Sequence, residues 1–153
     1  MVVTFIISSV LAVLADQLTK LWLYGKSVSL IGDFLWVEST FNTGAAFGSF
    51  AGARWLFIGL SIPVMALLVY LVISKKMGNS KFLGITIGFL LGGIVGNLID
   101  RIFLAGVRDF IYFKFINFPI FNFADAFITI GTIMLIVYIL FLHNKGEKVK
   151  SEK

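Results

Sequence analysis

The chain has 153 residues, of which 59% are hydrophobic and 14% charged, with a formal net charge of +5. A soluble domain of this length cannot hide so much apolar surface, so the composition excludes an ordinary water-soluble globule and indicates an integral membrane protein. With no cysteine and a single histidine (His143, at the start of a charged tail), disulfides and thiol chemistry are excluded, and a histidine-based site is disfavoured.

The predicted elements form one membrane domain over residues 1–153. The first span covers residues 2–24, with Asp16, Gln17 and Lys20 in its last third. It has no basic leader and no small-residue cleavage pattern after it, so it reads as a retained helix rather than a signal peptide. Residues 25–54 contain VSLIGDFLWVESTF, where Gly32-Asp33 is a turn signal between β-branched and aromatic runs. A short hairpin is expected there, followed by the small-residue stretch NTGAAFGSF. The second span, 55–73, carries Pro63 mid-way and is expected to kink. Residues 74–81 hold Lys75, Lys76 and Lys81.

The third span, 82–99, repeats glycine at 84, 88, 92 and 96, a flat ridge for close helix approach within the chain or between two copies. A connection over 100–122 follows, rich in aromatic residues expected at headgroup level. The fourth span, 123–142, precedes a lysine-rich tail, 143–153. The surplus positive charge lies in 74–81 and in the tail. The positive-inside rule then places both segments and both termini in the cytoplasm, and loops 25–54 and 100–122 outside. This distribution accounts for the charge without nucleic acid. Helices suit these runs, since lipid cannot satisfy backbone groups and they lack the alternation of a membrane barrel.

Ionisable residues in or beside a bilayer are costly and are candidate functional groups. Asp16 and Lys20, four apart, share a helix face and can form a structural pair. Asn97, Asp100 and Arg101 lie at i, i+3 and i+4 near the end of the third span, which suggests one shared face. They read either as an interfacial helix end with an interhelical hydrogen bond or as part of a site. Asn122 can cap the fourth helix, and Asp125 can favour its N-terminus. Asp109 has no such structural role to fill. By the topology above, these groups gather at the outer rim, with the Asp16–Lys20 pair left open.

Two close carboxylates resist double ionisation, so one retains a proton. One can then act as base toward water while the other donates to a carbonyl oxygen, a chemistry suited to peptide hydrolysis without a metal. Asp100, Asp109 and Asp125 could together offer three oxygens to a cation, but the arginines compete. A small membrane carrier or proton-coupled transporter is the alternative reading, and a non-enzymatic assembly or lipid-binding protein is a third. The clustering of acids toward one face and the lack of an internal repeat speak against a carrier.

The motifs DQLTK (16–20), NTGAAFG (42–48), GNLIDR (96–101), VRDF (107–110) and FNFAD (121–125) occur in this order. In order and spacing they resemble the lipoprotein signal peptidases (signal peptidase II), over all but the tail. The resemblance implies four transmembrane helices with a small extracytoplasmic β-cradle in the bacterial inner membrane. It implies an aspartic endopeptidase that cleaves prolipoproteins before a diacylglyceryl-modified cysteine, without a cofactor or metal, as a single copy, and inhibited by globomycin-type peptides. By motif, the catalytic pair falls on Asp109 and Asp125. Support positions fall on Asp16, Lys20, Asn42, Gly44, Asn97, Asp100, Arg101, Asn122 and Ala124.

Overall fold

The computed structural model describes residues 1–45 and 49–142. The tail 143–153, with His143 and its lysines, and the last three residues of NTGAAFG lie outside the described residues. Four helices are each long and apolar enough to cross a membrane. They are α1 (Val2–Leu23), α2 (Arg54–Ser74), α3 (Lys81–Leu104) and α4 (Phe123–Val137), the last prolonged by a π-helical turn, Tyr138–Leu142. Three strands form one antiparallel sheet in the order β1 (Ser27–Ile31), β2 (Leu35–Asn42), β3 (Val107–Tyr112). The chain is thus a four-helix membrane protein with a small cradle-like sheet, as expected.

The ends of the elements follow from local chemistry. Ser80 accepts from the backbone N–H of Leu83 at 3.0 Å and starts α3. Asn122 and Asp125 form a reciprocal capping box at the start of α4. The α2 helix runs continuously through Pro63. The third helix extends five residues past the expected end of its span, so Asp100 and Arg101 lie on it rather than in a connection. The largest departure is β3: residues 107–112, expected as part of an interfacial connection, add a third strand to the hairpin, with Asp109 opposite Thr40.

The glycine ridge is filled from within the chain. A Cβ at Gly88 would lie 2.8 Å from the carbonyl oxygen of Phe5, and one at Gly92 would lie 2.8 Å from that of Ser9. Gly84 and Gly96 face Met1–Thr4 and Asp16 in the same way. The ridge therefore brings α1 against α3 and is not free to pair two copies. By contrast, α2 is peripheral and buries only Leu68 and Val72.

Packing separates into two ends. Leu68, Val72, Leu83, Ile87, Leu90 and Tyr138 form an apolar cluster near the start of α3. At the other end of α3, beside the sheet, the buried polar residues are Asp16, Lys20, Asn97, Asp100, Arg108, Asp109 and Asn122. Large apolar side chains cover the outer faces of α1, α2 and α4, as lipid-facing surface requires, while α3 exposes them only at Ile102–Leu104; Trp22, Tyr24 and Trp55 stand exposed at helix ends.

Candidate active site

Asp109 enters the site from β3. Side chains alternate along a strand, so Val107 and Asp109 share one face while Arg108 takes the other. Asn42, at the end of β2, pairs with Val107 and is the diagonal neighbour of Asp109 on that face. Its Nδ2 donates to Asp109 Oδ2 at 3.1 Å. Asn122 Nδ2 donates to Asp109 Oδ1 at 2.6 Å. Asp125 enters from the first turn of α4. Its Oδ1 accepts from Asn97 Nδ2 at 2.7 Å, and its Oδ2 accepts from the Asn122 backbone N–H at 3.2 Å. Each carboxylate is thus held by two donors, and Asn122 touches both.

Both carboxylates line one cavity of about 320 Å³. Its walls come from Asn42, Gly44 and Ala45 after β2, Asn97 and Arg101 on α3, Val107 on β3, and Phe118–Phe121 in the connection to α4. Phe118 and Phe121, from the aromatic run expected at headgroup level, are part of the cavity wall. Burial, reinforced by the negative charge of Asp125, pushes the Asp109 carboxyl up to about 6. The amides of Asn42 and Asn122 and the ammonium of Lys20 oppose that rise.

Arg101 lines the same cavity. Its Nη2 donates to the Gly44 carbonyl at 3.3 Å, and its guanidinium lies 4.7 Å from the ring centre of Phe57. Among the described residues no carboxylate forms an ion pair with it, so its charge faces the cavity. Gly44 is confined: its N–H donates to Asn42 Oδ1 at 2.9 Å, and a Cβ there would strike the Ser49 carbonyl oxygen.

Behind the cavity lies a second set of charges. Lys20 is fully buried, 2.8 Å from Asp16 and 3.5 Å from Asp100, and donates to Asn97 Oδ1 at 3.1 Å. Asp16 Oδ1 accepts from the Ala124 backbone N–H at 2.9 Å, and Gly96 leaves room for the Ala124 side chain. The expected pairing of Asp16 with Lys20 is present, and both join the polar cluster beside the sheet. The expectation of one face for Asn97, Asp100 and Arg101 needs correction. Asn97 and Arg101 line the cavity, while Asp100 turns to Lys20 and Arg108. Successive helical positions differ by about 100°, so i+3 and i+4 lie on opposite sides of i. Asp100 therefore does not combine with Asp109 and Asp125 as a set of three oxygens.

Two residues escaped the sequence reading. Arg108 Nε and Nη2 grip both Asp100 oxygens at 3.1 and 2.7 Å, and its backbone N–H donates to Oδ2 at 3.0 Å. Gln17 accepts from Arg108 Nη2 at 3.1 Å and donates to the Gly96 carbonyl at 3.0 Å. Both sit inside quoted motifs, and for Arg108 the available signal was a charge directly beside Asp109 in VRDF.

The family model for signal peptidase (SPase) II matches residues 8–141. The chain belongs to the signal peptidase II family. The lipoprotein signal peptidase of Bacillus velezensis is 40% identical over 144 residues, covering 89% of this chain and 92% of that protein. The corresponding Bacillus subtilis protein is 36% identical over 152 residues, covering 94% and 96%. A solved bacterial membrane enzyme, determined by the in meso method at 2.3 Å resolution, superposes with a TM-score of 0.85 at 36% identity, covering 92% of this chain and 89% of that one. A second, at 1.9 Å, gives 0.83. This signal peptidase II thus shares with its relatives a fold spanning nearly their whole length, and it is an aspartic peptidase by family.

Proposed function

We propose that this peptidase removes signal peptides from prolipoproteins by cleaving before a diacylglyceryl-modified cysteine, with Asp109 and Asp125 as its catalytic pair. The observation that carries the assignment is the opening of a buried carboxylate from β3 and a half-buried one from α4 onto one cavity. Asp109, raised to about 6, shares a proton with Asp125 in the working state. Displacement of water by substrate favours that proton further.

In the reaction, the ionised carboxylate takes a proton from water as its oxygen attacks the scissile carbonyl carbon. The protonated partner gives its hydrogen to the carbonyl oxygen. The tetrahedral gem-diol then loses the cysteine amine, which takes the proton gathered from water, while one of its hydroxyls returns a proton to the partner carboxylate; a carboxyl end remains on the signal peptide and the pair regains its single proton. Asn42, Asn97 and Asn122 hold the two carboxylates, and Arg101 offers a cation to substrate carbonyl oxygens. Asp16, Lys20, Asp100 and Ala124 support them from behind, and Gly44 lines the cavity beside Asn42. No step needs a metal or cofactor.

The proposed setting is the bacterial inner membrane, with the single domain working as a monomer, both termini cytoplasmic and the cavity near the outer face. The distribution of lysines supports this orientation. Globomycin-type peptides are expected to occupy the cavity. The test incubates purified protein in detergent or bilayer with a diacylglyceryl-modified prolipoprotein. Wild type should release the signal peptide, and folded Asp109→Asn and Asp125→Asn should not. Full cleavage by both variants would sink the dyad.

A further inference from the structure

Asp16, Lys20, Asp100 and Arg108 form a balanced set of two acids and two bases packed between α1, α3 and β3. None of the four lines the cavity. Each side of the cluster nevertheless ends at one of the two cavity aspartates. On one side, Asp16 accepts from the Ala124 N–H and Lys20 holds the Asn97 carbonyl oxygen, which leaves Asn97 Nδ2 aimed at Asp125. On the other side, Arg108 is the chain neighbour of Asp109, on the opposite face of β3.

We propose that Arg108 is a positioning residue for peptide cleavage: it pins the strand carrying Asp109 to the charge cluster that also pins the helix start carrying Asp125, and so sets the spacing of the two carboxylates. The proposal rests on the reading of those aspartates as the catalytic pair.

The local geometry supports a fixed strand. Only Ala105 and Gly106 separate α3 from β3, and Ala105 is left-handed at φ 66°. Asp100 closes this turn by accepting the Arg108 N–H, and the guanidinium fork then occupies both of its oxygens. Such a bidentate pair fixes direction as well as distance. Asp100 is fully buried and the Arg108 side chain is only 11% exposed, so solvent does little to loosen the grip. Gln17 takes the remaining reach of Nη2.

Loss of the guanidinium would act twice. The strand would lose its anchor, moving Asp109. The cluster would also keep two acids against Lys20 alone, drawing that ammonium from Asn97 toward Asp100. The charged groups around the dyad are Asp16 and Lys20 from α1, Asp100 and Arg101 from α3, and Asp109 and Asp125 themselves. Tyr24 is within electrostatic reach of Arg108, and β2 contributes the neutral Asn42. Removing one positive charge from this set favours protonated carboxyls, so the alkaline limb of the activity profile should rise.

The test uses the full chain in detergent with a diacylglyceryl-modified prolipoprotein, scoring kcat and KM per folded enzyme across pH, beside Tm. Arg108→Met should lower kcat roughly 100-fold, the cost of an ångström-scale misplacement, with KM within about twofold. Its alkaline limb should move up by about half a pH unit or more. Arg108→Lys, which keeps the charge but not the fork, should lower kcat roughly tenfold and leave the limb in place. Wild-type kcat and limb in folded Arg108→Met, with only Tm reduced, would overturn the proposal. Should Arg108→Met fail to fold, an unchanged kcat in Arg108→Lys overturns it instead. Failure of wild type to cleave would be a failure of the functional reading, and is seen before any variant is compared.

Discussion

Replacing Asp109 by asparagine should abolish cleavage and at the same time stabilise the protein, but only above about pH 6. Asp109 is 3% exposed, and its carboxyl is raised to about 6 by burial and by Asp125. An unfolded aspartate titrates near 3.9. Between these values the folded state binds the extra proton, so folding loses stability as pH rises through that window. The loss is complete above the folded value. A shift of about two units corresponds to roughly 3 kcal/mol at most.

The Asp109→Asn variant has no charge to desolvate and escapes this loss. It also gives up one of two accepted hydrogen bonds, because its single oxygen cannot serve both Asn42 and Asn122. That offsets about 1–2 kcal/mol. The net gain is about 1–2 kcal/mol at pH 8, or roughly 3–6 °C in Tm for a chain of this size. At pH 4 the gain should vanish or reverse. Tryptophan fluorescence melts in detergent suit the measurement, with Trp22, Trp36 and Trp55 as reporters. A Tm difference independent of pH between 4 and 8, or a less stable variant at pH 8, would refute the reasoning.

Lys20→Met leaves Asp16 and Asp100 facing Arg108 alone, which should cost about 3–5 kcal/mol and lower Tm by roughly 10 °C in the same melts. Asn122→Ala removes the cap on Asp125 and the bonds to Asp109 and Asn97; a loss of about 1–3 kcal/mol is expected, with kcat falling more than Tm alone explains. Gly88→Val should cost about 1–3 kcal/mol by forcing α1 off the ridge, whereas Gly59→Ala, where a Cβ meets nothing within 4 Å, should leave Tm unchanged or higher. Equal melting of the two glycine variants would remove the close packing of α1 on α3 as a source of stability.

The spans were legible because apolar length is itself the signal in a membrane protein. The hairpin was legible from Gly32-Asp33. The strand β3 was not, because its face alternation is hidden: Val107, Arg108, Asp109 and Phe110 are all buried, so no polar-apolar rhythm remains to mark a strand. The same concealment hid Arg108, whose value lies in what its face meets rather than in its spacing. Motif order located Asp109 and Asp125, but only the folded chain shows Asn122 bonded to both. Helical spacing grouped Asp100 with Arg101, although one residue's rotation about the axis sends the first into the cluster and the second into the cavity.

The pair made by Asp16 and Lys20 has a consequence for how the chain is assembled. It closes within a single helix, at 2.8 Å, whereas, apart from Gln17 on the same helix, the other partners of these two residues sit on spans synthesised later. The nascent α1 therefore reaches the bilayer with its two opposite charges already mutually neutralised, before α3 and α4 exist to receive them. A lone ammonium or carboxylate at that depth would weigh against insertion by about 2.5–3.5 kcal/mol near the helix centre, and less toward its end. Glycosylation mapping of isolated α1 can test this. Lys20→Met alone should insert no better than wild type, despite its greater hydrophobicity, because it unmasks Asp16, and the double change Asp16→Leu with Lys20→Met should insert best. Clearly better insertion by the single variant than by wild type would show that the two charges cross unpaired.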